Sequence, residues 1–347
     1  MNFIEKIKSS FQKNINWVNG DIAIDLGTAN TLIWVTGKGI IINEPSIIAR
    51  STKTGEVLAV GNDAKQMLGK THEGIETIRP LRDGVIADFT AVDEMIQGFI
   101  RKVNLNRLTR PRMVICVPSG VTEVERRAVR DSGEKQAARE VYLVEEPVAA
   151  AIGIGLDISK PEGNIIVDIG GGTTEVAVIS LNGVVTKKAI RVAGDEMDDA
   201  IQHWFRNEHK LEIGTRTAEQ IKISVGSAMR SRSTKNILVK GRDLVTGIPK
   251  TIDVRADEIR LALKDPVRRI LEVIKEALES TPAELSSDII DRGIVLAGGG
   301  SQLQGLDQVL REKTGVPVNV AEEPHLAIVK GCGKIIEDLE KYKNVLL

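Results

Sequence analysis

Two aspartates, Asp25 and Asp168, each end an apolar run of strand-forming residues and are followed by a turn of small residues. The first turn reads DLGTAN and the second reads DIGGGTT. A turn between antiparallel strands exposes consecutive backbone N–H groups that can converge on an anion, and large side chains would block that approach. Mg²⁺ prefers few carboxylates and several waters. The pattern therefore predicts two loops for a polyphosphate, with both aspartates holding Mg²⁺ directly or through water.

The second turn repeats the first at an offset of 143 residues. When Asp168 is aligned with Asp25, Gly170 also falls on Gly27, and the apolar runs on both sides match. A period of this length is too long for a solenoid repeat and indicates duplication of a whole domain, with two equivalent hairpins facing each other across a cleft. The alternative is that each turn is an ordinary hairpin whose aspartate makes local hydrogen bonds.

A third glycine-rich segment, AGGGSQL at 297–303, follows an apolar run and precedes a helical pattern. Such a turn can lie flat against a base and a ribose. It is neither a Walker A motif nor a GxGxxG fingerprint, which disfavours a P-loop kinase and a Rossmann dehydrogenase. Strand-like runs alternate with helical patterns elsewhere, around a more polar insertion at 194–260. The predicted fold class is therefore α/β with mixed sheets.

The composition excludes several classes of protein. A formal net charge of -1 gives no field that would attract nucleic acid, so a nucleic-acid partner is not predicted. No segment offers the ~18 uncharged apolar residues of a spanning helix, and charged residues interrupt any signal-peptide core. Cys116 and Cys332 fit no metal-binding spacing and are expected to be reduced structural thiols of a cytoplasmic protein.

The glycine motifs carry a family resemblance. DLGTANT, DIGGGTTEVAV and VLAGGGSQL, in this order and spacing, resemble the phosphate-one, phosphate-two and adenosine motifs of the actin, DnaK-type chaperone and sugar-kinase superfamily. Within it, DGVIADF, CVPSGVTEVERRAV, EEPVAAAIG and GDEMDDAI resemble segments of the MreB family of bacterial actins. The likeness runs from about Asp21 to Lys334. It implies an actin-like fold of two duplicated ribonuclease H-like domains, each with an inserted smaller subdomain, and ATP with Mg²⁺ in the cleft between them.

The resemblance also implies domain boundaries. The first domain is expected at 20–153, with an insertion at roughly 42–79, and the second at 154–334, with an insertion at roughly 191–250. Residues 1–19 form a separate extension, and 335–347 are expected to pack on the first domain.

Matching the motifs residue by residue assigns the nucleotide contacts. The positions matching the two phosphate loops are Thr28, Ala29, Asn30, Gly171, Gly172 and Thr173. The positions matching the ribose and adenine segments are Glu219, Gln220, Ile221, Lys222, Gly299, Gly300, Ser301 and Gln302. The chain departs from the family pattern at Ala193, where a second glycine is usual, at Gln220, where arginine is common, and at Ser301-Gln302, where Ala-Leu is common. None of these departures removes a phosphate contact.

For hydrolysis the resemblance points to Glu146, with Thr173 beside it, as the residue that polarises the water attacking the γ-phosphate. Phosphoryl transfer needs an in-line nucleophile and charge stabilisation more than covalent help. The alternative is that Glu145 and Glu146 merely favour the start of a helix.

The N-terminal segment has the pattern of an amphipathic helix. Its apolar positions include Phe3, Ile4, Ile7 and Phe11, and its polar side carries three lysines and the α-amine against one glutamate. This pattern is typical of a helix that lies in an anionic membrane interface, although such a helix can instead pack on the protein's own body. Leu105 and Leu108, beside arginines, are a second predicted membrane contact.

The leading functional hypothesis is a slow ATPase that assembles with itself, in double filaments, on the inner face of a bacterial membrane. The resemblance implies membrane proteins of the cell-elongation machinery as partners, and a role in organising cell-wall synthesis and cell shape. One alternative is a DnaK-type chaperone module, against which the chain ends about 45 residues after AGGGSQL. The other is a small-molecule kinase, which needs a catalytic aspartate and a substrate pocket that the sequence does not reveal.

Overall fold

The computed structural model describes residues 20–104, 110–230 and 236–347. Contacts within the chain divide it into two units. The described residues up to Asp157, together with Leu326–Leu347, form the first unit, and Ile158–His325 form the second. Each unit is an α/β structure with a five-stranded mixed sheet and its own apolar core.

The elements follow in chain order. The strands before Asp157 are β1 Ile22–Leu26, β2 Asn30–Val35, β3 Gly39–Pro45, β4 Ile48–Ser51, β5 Val57–Val60, β6 Ile75–Ile78, β7 Leu81–Arg82, β8 Val85–Ile86, β9 Arg112–Val117 and β10 Glu140–Glu145. The helices of this part are Asn62–Met67, Phe89–Val103, Glu123–Lys135 and Glu146–Ile154.

The second unit carries the remaining strands. These are β11 Asn164–Ile169, β12 Thr174–Ser180, β13 Gly183–Ile190, β14 Leu211–Glu212, β15 Asn236–Asp243, β16 Pro249–Arg255, β17 Ile294–Ala297 and β18 Val318–Val320. Its helices are Gly194–Glu208, Thr215–Val225, Ala256–Ala262, Lys264–Glu279, Ala283–Arg292 and Leu306–Thr314, with 3-10 turns at Gly299–Gln302 and Pro324–Leu326. The chain then ends in the first unit with the helix Ala327–Glu337 and a 3-10 turn at Lys343–Val345.

The two central sheets have the same topology. Their strand orders are β10-β9-β1-β2-β3 and β13-β12-β11-β17-β18, with an antiparallel hairpin at the centre and parallel strands on one side. The registers also agree, because Asp25 lies opposite Leu32 and Asp168 lies opposite Glu175, each at the offset of 143 residues. The predicted duplication is confirmed.

The central strands are buried on both faces. Every residue of β1 and of β11 is buried, which is why both read as nearly continuous apolar runs rather than alternating ones. Each run contains one acidic residue, Asp25 or Asp168, which is buried near the carboxyl end of its strand. A buried carboxylate is tolerated only with suitable partners.

Smaller sheets lie where insertions were predicted. The sheet β5-β4-β6 falls within the first predicted insertion, at roughly 42–79. The sheet β14-β15-β16 begins within the second predicted insertion and continues past its expected end at residue 250, to Arg255.

The second unit of the structure ends before the residue that the sequence predicted as the end of the second domain. The sequence predicted that this domain continues to residue 334, whereas the helix Ala327–Glu337 belongs to the first unit. The helix packs on Glu146–Ile154 through glycine on each side, since a Cβ on Gly331 would overlap the carbonyl oxygen of Ala149 and one on Gly153 would lie 2.8 Å from the Gly331 nitrogen. This approach of backbone to backbone is possible only without side chains.

We expect Gly331→Ala to lower the free energy of unfolding by about 3 kcal/mol, because the added methyl must displace the backbone of the neighbouring helix. Urea denaturation followed by circular dichroism measures the change. Gly120→Ala is the control, since a Cβ there meets nothing within 4 Å. Equal stabilities of the two variants would contradict this account of the helix pair.

Candidate functional site

The first Asp–Gly turn is held by Ser46, which follows β3. The Ser46 hydroxyl donates to the Gly27 carbonyl at 2.6 Å, and the Ser46 N–H donates to the Ala29 carbonyl at 3.0 Å. Because the peptide is planar and trans, the N–H of Thr28 points away from Ser46. A Cβ on Gly27 would lie 2.7 Å from the Asn30 carbonyl oxygen, so the turn requires glycine there.

Thr28 joins this turn to the hairpin β7–β8. Its hydroxyl oxygen accepts a hydrogen bond from the Gly84 N–H at 3.3 Å, so the hydroxyl hydrogen can still be donated elsewhere. Thr28 is buried, Ala29 is half-buried and the Asn30 side chain is exposed. These three predicted residues of the first phosphate loop are consecutive and lie where β1 turns into β2.

Asp25 lies below this turn, with a side chain that is buried among the strand ends. Cys116, its neighbour on β9, donates its thiol to Asp25 Oδ1 at 3.3 Å. Burial raises the pKa of Asp25 to about 6, and the hydrogen bond from Cys116 opposes that rise. A nearby cation would favour the charged carboxylate.

Glu146 opens the helix that follows β10, and only 7% of the residue is exposed. Burial is the largest cause of a raised pKa of the Cys116 thiol. The neighbouring Cys332, Asp25 and Glu146 raise this pKa further. Asp25, Cys116 and Glu146 therefore form one group at the carboxyl ends of β1, β9 and β10, the edge where α/β sheets bind ligands. Glu145, the residue before the helix, makes no side-chain cap.

The second Asp–Gly turn is supported by backbone rather than by a side chain. The carbonyls of Gly170 and Gly171 accept from the N–H groups of Gly194 at 3.2 Å and Asp195 at 2.8 Å. These donors are the first two residues of the helix Gly194–Glu208. The N–H groups of the next residues in the turn consequently point away from the helix, as a phosphate loop requires.

The helix Thr215–Val225 carries the predicted ribose and adenine segment. Lys222 Nζ donates to the Gly194 carbonyl at 2.7 Å and lies 2.9 Å from Asp198 Oδ1. Ile221 is buried in the apolar core of the second unit, whereas Gln220 is exposed. The four predicted residues thus face different surroundings, and Ile221 contributes packing.

The third glycine turn lies on the end of β11. Gly298 has φ +78°, and a Cβ there would lie 2.5 Å from Asp168 Oδ1; one on Gly300 would lie 2.5 Å from the Ile169 side chain. The buried Ser301 hydroxyl donates to the Gly298 carbonyl at 2.6 Å. The turn is a 3-10 helix, and the α-helix that the sequence predicted after the glycines begins at Leu306.

Hydrogen bonds join the residues just after the helix Thr215–Val225 to the chain just after the glycine turn Gly299–Gln302. The Ala228 N–H donates to the Gln304 carbonyl at 2.8 Å, and the Ser227 hydroxyl donates to the same oxygen at 3.1 Å. The second unit therefore brings together its three predicted segments, which are the second phosphate turn, the segment 219–222 and the turn 299–302.

Sequence reasoning missed the residues that support these turns. Ser46 and Asp198 are polar and buried, but neither belongs to a glycine motif, and their partners are distant in sequence. The predicted membrane residues Phe3, Ile4, Ile7, Phe11, Leu105 and Leu108 lie outside the described residues.

Among the described residues, no three His, Cys, Asp or Glu side chains are grouped so as to hold a metal ion by themselves. None of the helices in these parts of the chain has the length and apolar character needed to cross a bilayer.

A family model described as MreB/Mbl protein matches residues 19–344. The chain belongs to the MreB/Mbl family. The cell shape-determining protein Mbl of Bacillus subtilis (strain 168) is 49% identical over 322 residues, which cover 92% of this chain and 97% of the relative. The cell shape-determining protein MreB of Escherichia coli (strain K12) is 50% identical over 330 residues, covering 93% and 95%. The chain is thus a cell-shape-determining bacterial actin homologue, and these relatives do not support the chaperone and kinase alternatives.

Solved structures agree with this assignment. MreB5 of Spiroplasma citri bound to AMPPNP has a TM-score of 0.89 and 36% identity, covering 93% of this chain and 97% of that one. A MamK double helical filament, 22% identical with a TM-score of 0.76, shares the fold. The predicted actin-like fold is therefore confirmed.

We expect Asp25→Asn to stabilise the protein by about 2–3 kcal/mol at pH 7.5 without Mg²⁺ or nucleotide. Folded Asp25 binds its proton at a higher pH than the unfolded chain does, so its contribution to stability is lost as the pH rises from about 4 through about 6 and stays lost above that. The gain should shrink as the pH falls through 6 and vanish near pH 4. Urea titrations in EDTA at several pH values measure it, and a variant no more stable than wild type at pH 7.5 would contradict the burial argument.

Proposed function

We propose that this MreB/Mbl protein binds Mg-ATP at its glycine turns, hydrolyses it slowly, and assembles with itself into double filaments on the inner face of the membrane. The observation that carries the nucleotide part is the duplicated turn. In each unit the turn's carbonyls are occupied on one side, by Ser46 or by the helix Gly194–Glu208, which leaves N–H groups for phosphate oxygens on the other. The relative MreB5 binds ADP and AMPPNP, which supports the proposal.

The phosphates are bound by Thr28, Ala29 and Asn30 in the first unit and by Gly171, Gly172 and Thr173 in the second. When bound, Mg²⁺ neutralises charge on the phosphates and on the leaving group. Asp25 and Asp168 hold the ion, directly or through water. The pKa of Asp25 fits this role, because a carboxyl group that burial makes hard to ionise gains most from a neighbouring cation.

The adenosine is bound by the segment Glu219–Lys222 and by the turn Gly299–Gln302. In the second unit the first segment lies shortly before Ser227 and the glycine turn lies shortly before Gln304, and Ser227 and Gln304 form a β-bridge. The glycine turn offers a flat surface because Gly299 has nothing within 4 Å of a Cβ position. A ribose and a base can lie against such a surface without displacing side chains.

Glu146, with Thr173, orients and polarises the water that attacks the γ-phosphate. Its position at the start of a helix fixes the carboxylate at the edge where Asp25 also lies, and burial excludes bulk water from it. A carboxylate placed in this way can accept a proton as the water attacks.

Assembly follows from the role of the family. The assembly part is supported by the relatives, which are cell shape-determining proteins, and by the double helical filament of MamK, which has the same fold. The polymer would organise cell-wall synthesis through membrane proteins of the elongation machinery, with residues 1–19 and the leucines Leu105 and Leu108 attaching it to the bilayer surface.

Electron microscopy of the full chain with Mg-ATP, together with phosphate release, tests the nucleotide and filament claims. Wild type should form filaments, and Glu146→Ala should still bind ATP and form filaments while releasing phosphate about 100-fold more slowly, because the attacking water is no longer oriented. Glu312→Ala, at an exposed site in the helix Leu306–Thr314, is the matched control. Monomers that phosphorylate a sugar would refute the filament reading, and unchanged release would remove Glu146 from the mechanism.

Vesicle co-sedimentation tests the membrane claim. Deletion of residues 1–19 should abolish most binding to vesicles containing anionic lipid, and replacement of Lys6, Lys8 and Lys13 by glutamate should weaken it by charge repulsion. Leu105→Ser with Leu108→Ser isolates the second contact. Equal sedimentation of the full chain and of the truncated chain would sink the anchoring role of the extension.

A further inference from the structure

One buried threonine of each unit lies just after the Asp–Gly turn. Thr31 is the second residue of β2, and Thr174 is the first residue of β12. The two stand at the offset of 143 residues that relates the units, and each pairs with the residue that follows the aspartate of its unit. Both threonines are 0% exposed, so each hydroxyl requires a hydrogen-bond partner inside the protein.

In the first unit the Thr31 hydroxyl bonds to Ser46, the residue after β3. The two hydroxyl oxygens are 2.9 Å apart. Ser46 has a single hydroxyl hydrogen and donates it to the Gly27 carbonyl at 2.6 Å, so Thr31 is the donor between the two hydroxyls. Thr31 therefore fixes the rotation of the Ser46 hydroxyl and keeps its hydrogen directed at the turn.

In the second unit the Thr174 hydroxyl donates to the Val192 carbonyl at 2.6 Å. Val192 is the second residue after β13 and lies two residues before Gly194. The Gly194 N–H donates to the Gly170 carbonyl at 3.2 Å. Thr174 therefore holds the segment from which the second turn receives its hydrogen bond.

The two arrangements follow the same order. In each unit the threonine holds the segment that follows the next strand, and that segment donates to the first glycine of the turn, Gly27 or Gly170. In a planar trans peptide the carbonyl oxygen and the next N–H point in opposite directions, so a fixed carbonyl directs the N–H of Thr28 or Gly171 away from the support. Loss of the threonine hydroxyl would free the support to shift. The phosphate would then have to order the turn, which weakens binding.

We propose that Thr31 and Thr174 are equivalent positioning residues for the two phosphate turns, so that affinity for the phosphates depends on both hydroxyls and affinity for the nucleoside does not. The inference rests on the proposed binding of ATP at these turns and goes beyond it. It assigns a task to two residues that are not among the expected nucleotide contacts.

Affinities of the full chain for Mg-ATP and for adenosine test the inference. Thr31→Val and Thr174→Val keep the branched shape of the side chain and remove its hydrogen bond. Each should weaken ATP binding about fivefold while adenosine binds as it does to wild type. Thr281→Val is the control and should change neither affinity, because its buried hydroxyl donates to the Ala277 carbonyl at 2.7 Å, at the end of the helix Lys264–Glu279. An equal loss for adenosine would overturn the proposal, and so would unchanged ATP affinity in either valine variant.

Serine variants separate positioning from packing. Thr31→Ser and Thr174→Ser retain the hydroxyl and remove a buried methyl group, so they should lower the melting temperature and leave ATP affinity close to that of wild type. A loss of ATP affinity as large as in the valine variants would overturn the positioning role, since it would trace the affinity to packing. Failure of wild type to bind ATP would instead refute the proposed function.

Discussion

In both units the carbonyl groups of the Asp–Gly turn accept hydrogen bonds from a neighbouring element, and this interaction determines which way the turn faces. Ser46 provides the donors in the first unit, and the first turn of the helix Gly194–Glu208 provides them in the second. A glycine turn without such partners could rotate its peptide groups and present carbonyls to a phosphate. With them, the N–H groups are oriented before any ligand arrives, which lowers the entropic cost of binding.

The duplication could be predicted because short segments of the sequence repeat. The run around Asp25 and the run around Asp168 share their apolar pattern, and in the structure they share strand order and register. The glycine motifs likewise indicated three turns, since only small residues allow backbone to approach a ligand. Family likeness then supplied the roles that no pattern encodes.

Long-range contacts account for what the sequence did not predict. The helix Ala327–Glu337 reads as an ordinary apolar helix, and nothing local shows that Gly331 must meet Ala149 in the first unit. Ser46 and Asp198 are similar cases, because a single serine or aspartate acquires meaning only from the partner that the fold brings to it. The 3-10 turn before the helix that begins at Leu306 was not predicted either, because the 3.6-residue periodicity does not distinguish it from an α-helical start.

The two turns differ in their exposure to mutation, although they share one topology. A point mutation can delete the hydroxyl of Ser46, because that donor is a side chain. The N–H groups of Gly194 and Asp195 belong to the backbone and persist through every substitution except proline. A point mutation can therefore remove the hydrogen bond that supports the turn more readily in the first unit than in the second. The two turns share one topology but are expected to differ in the substitutions that they tolerate.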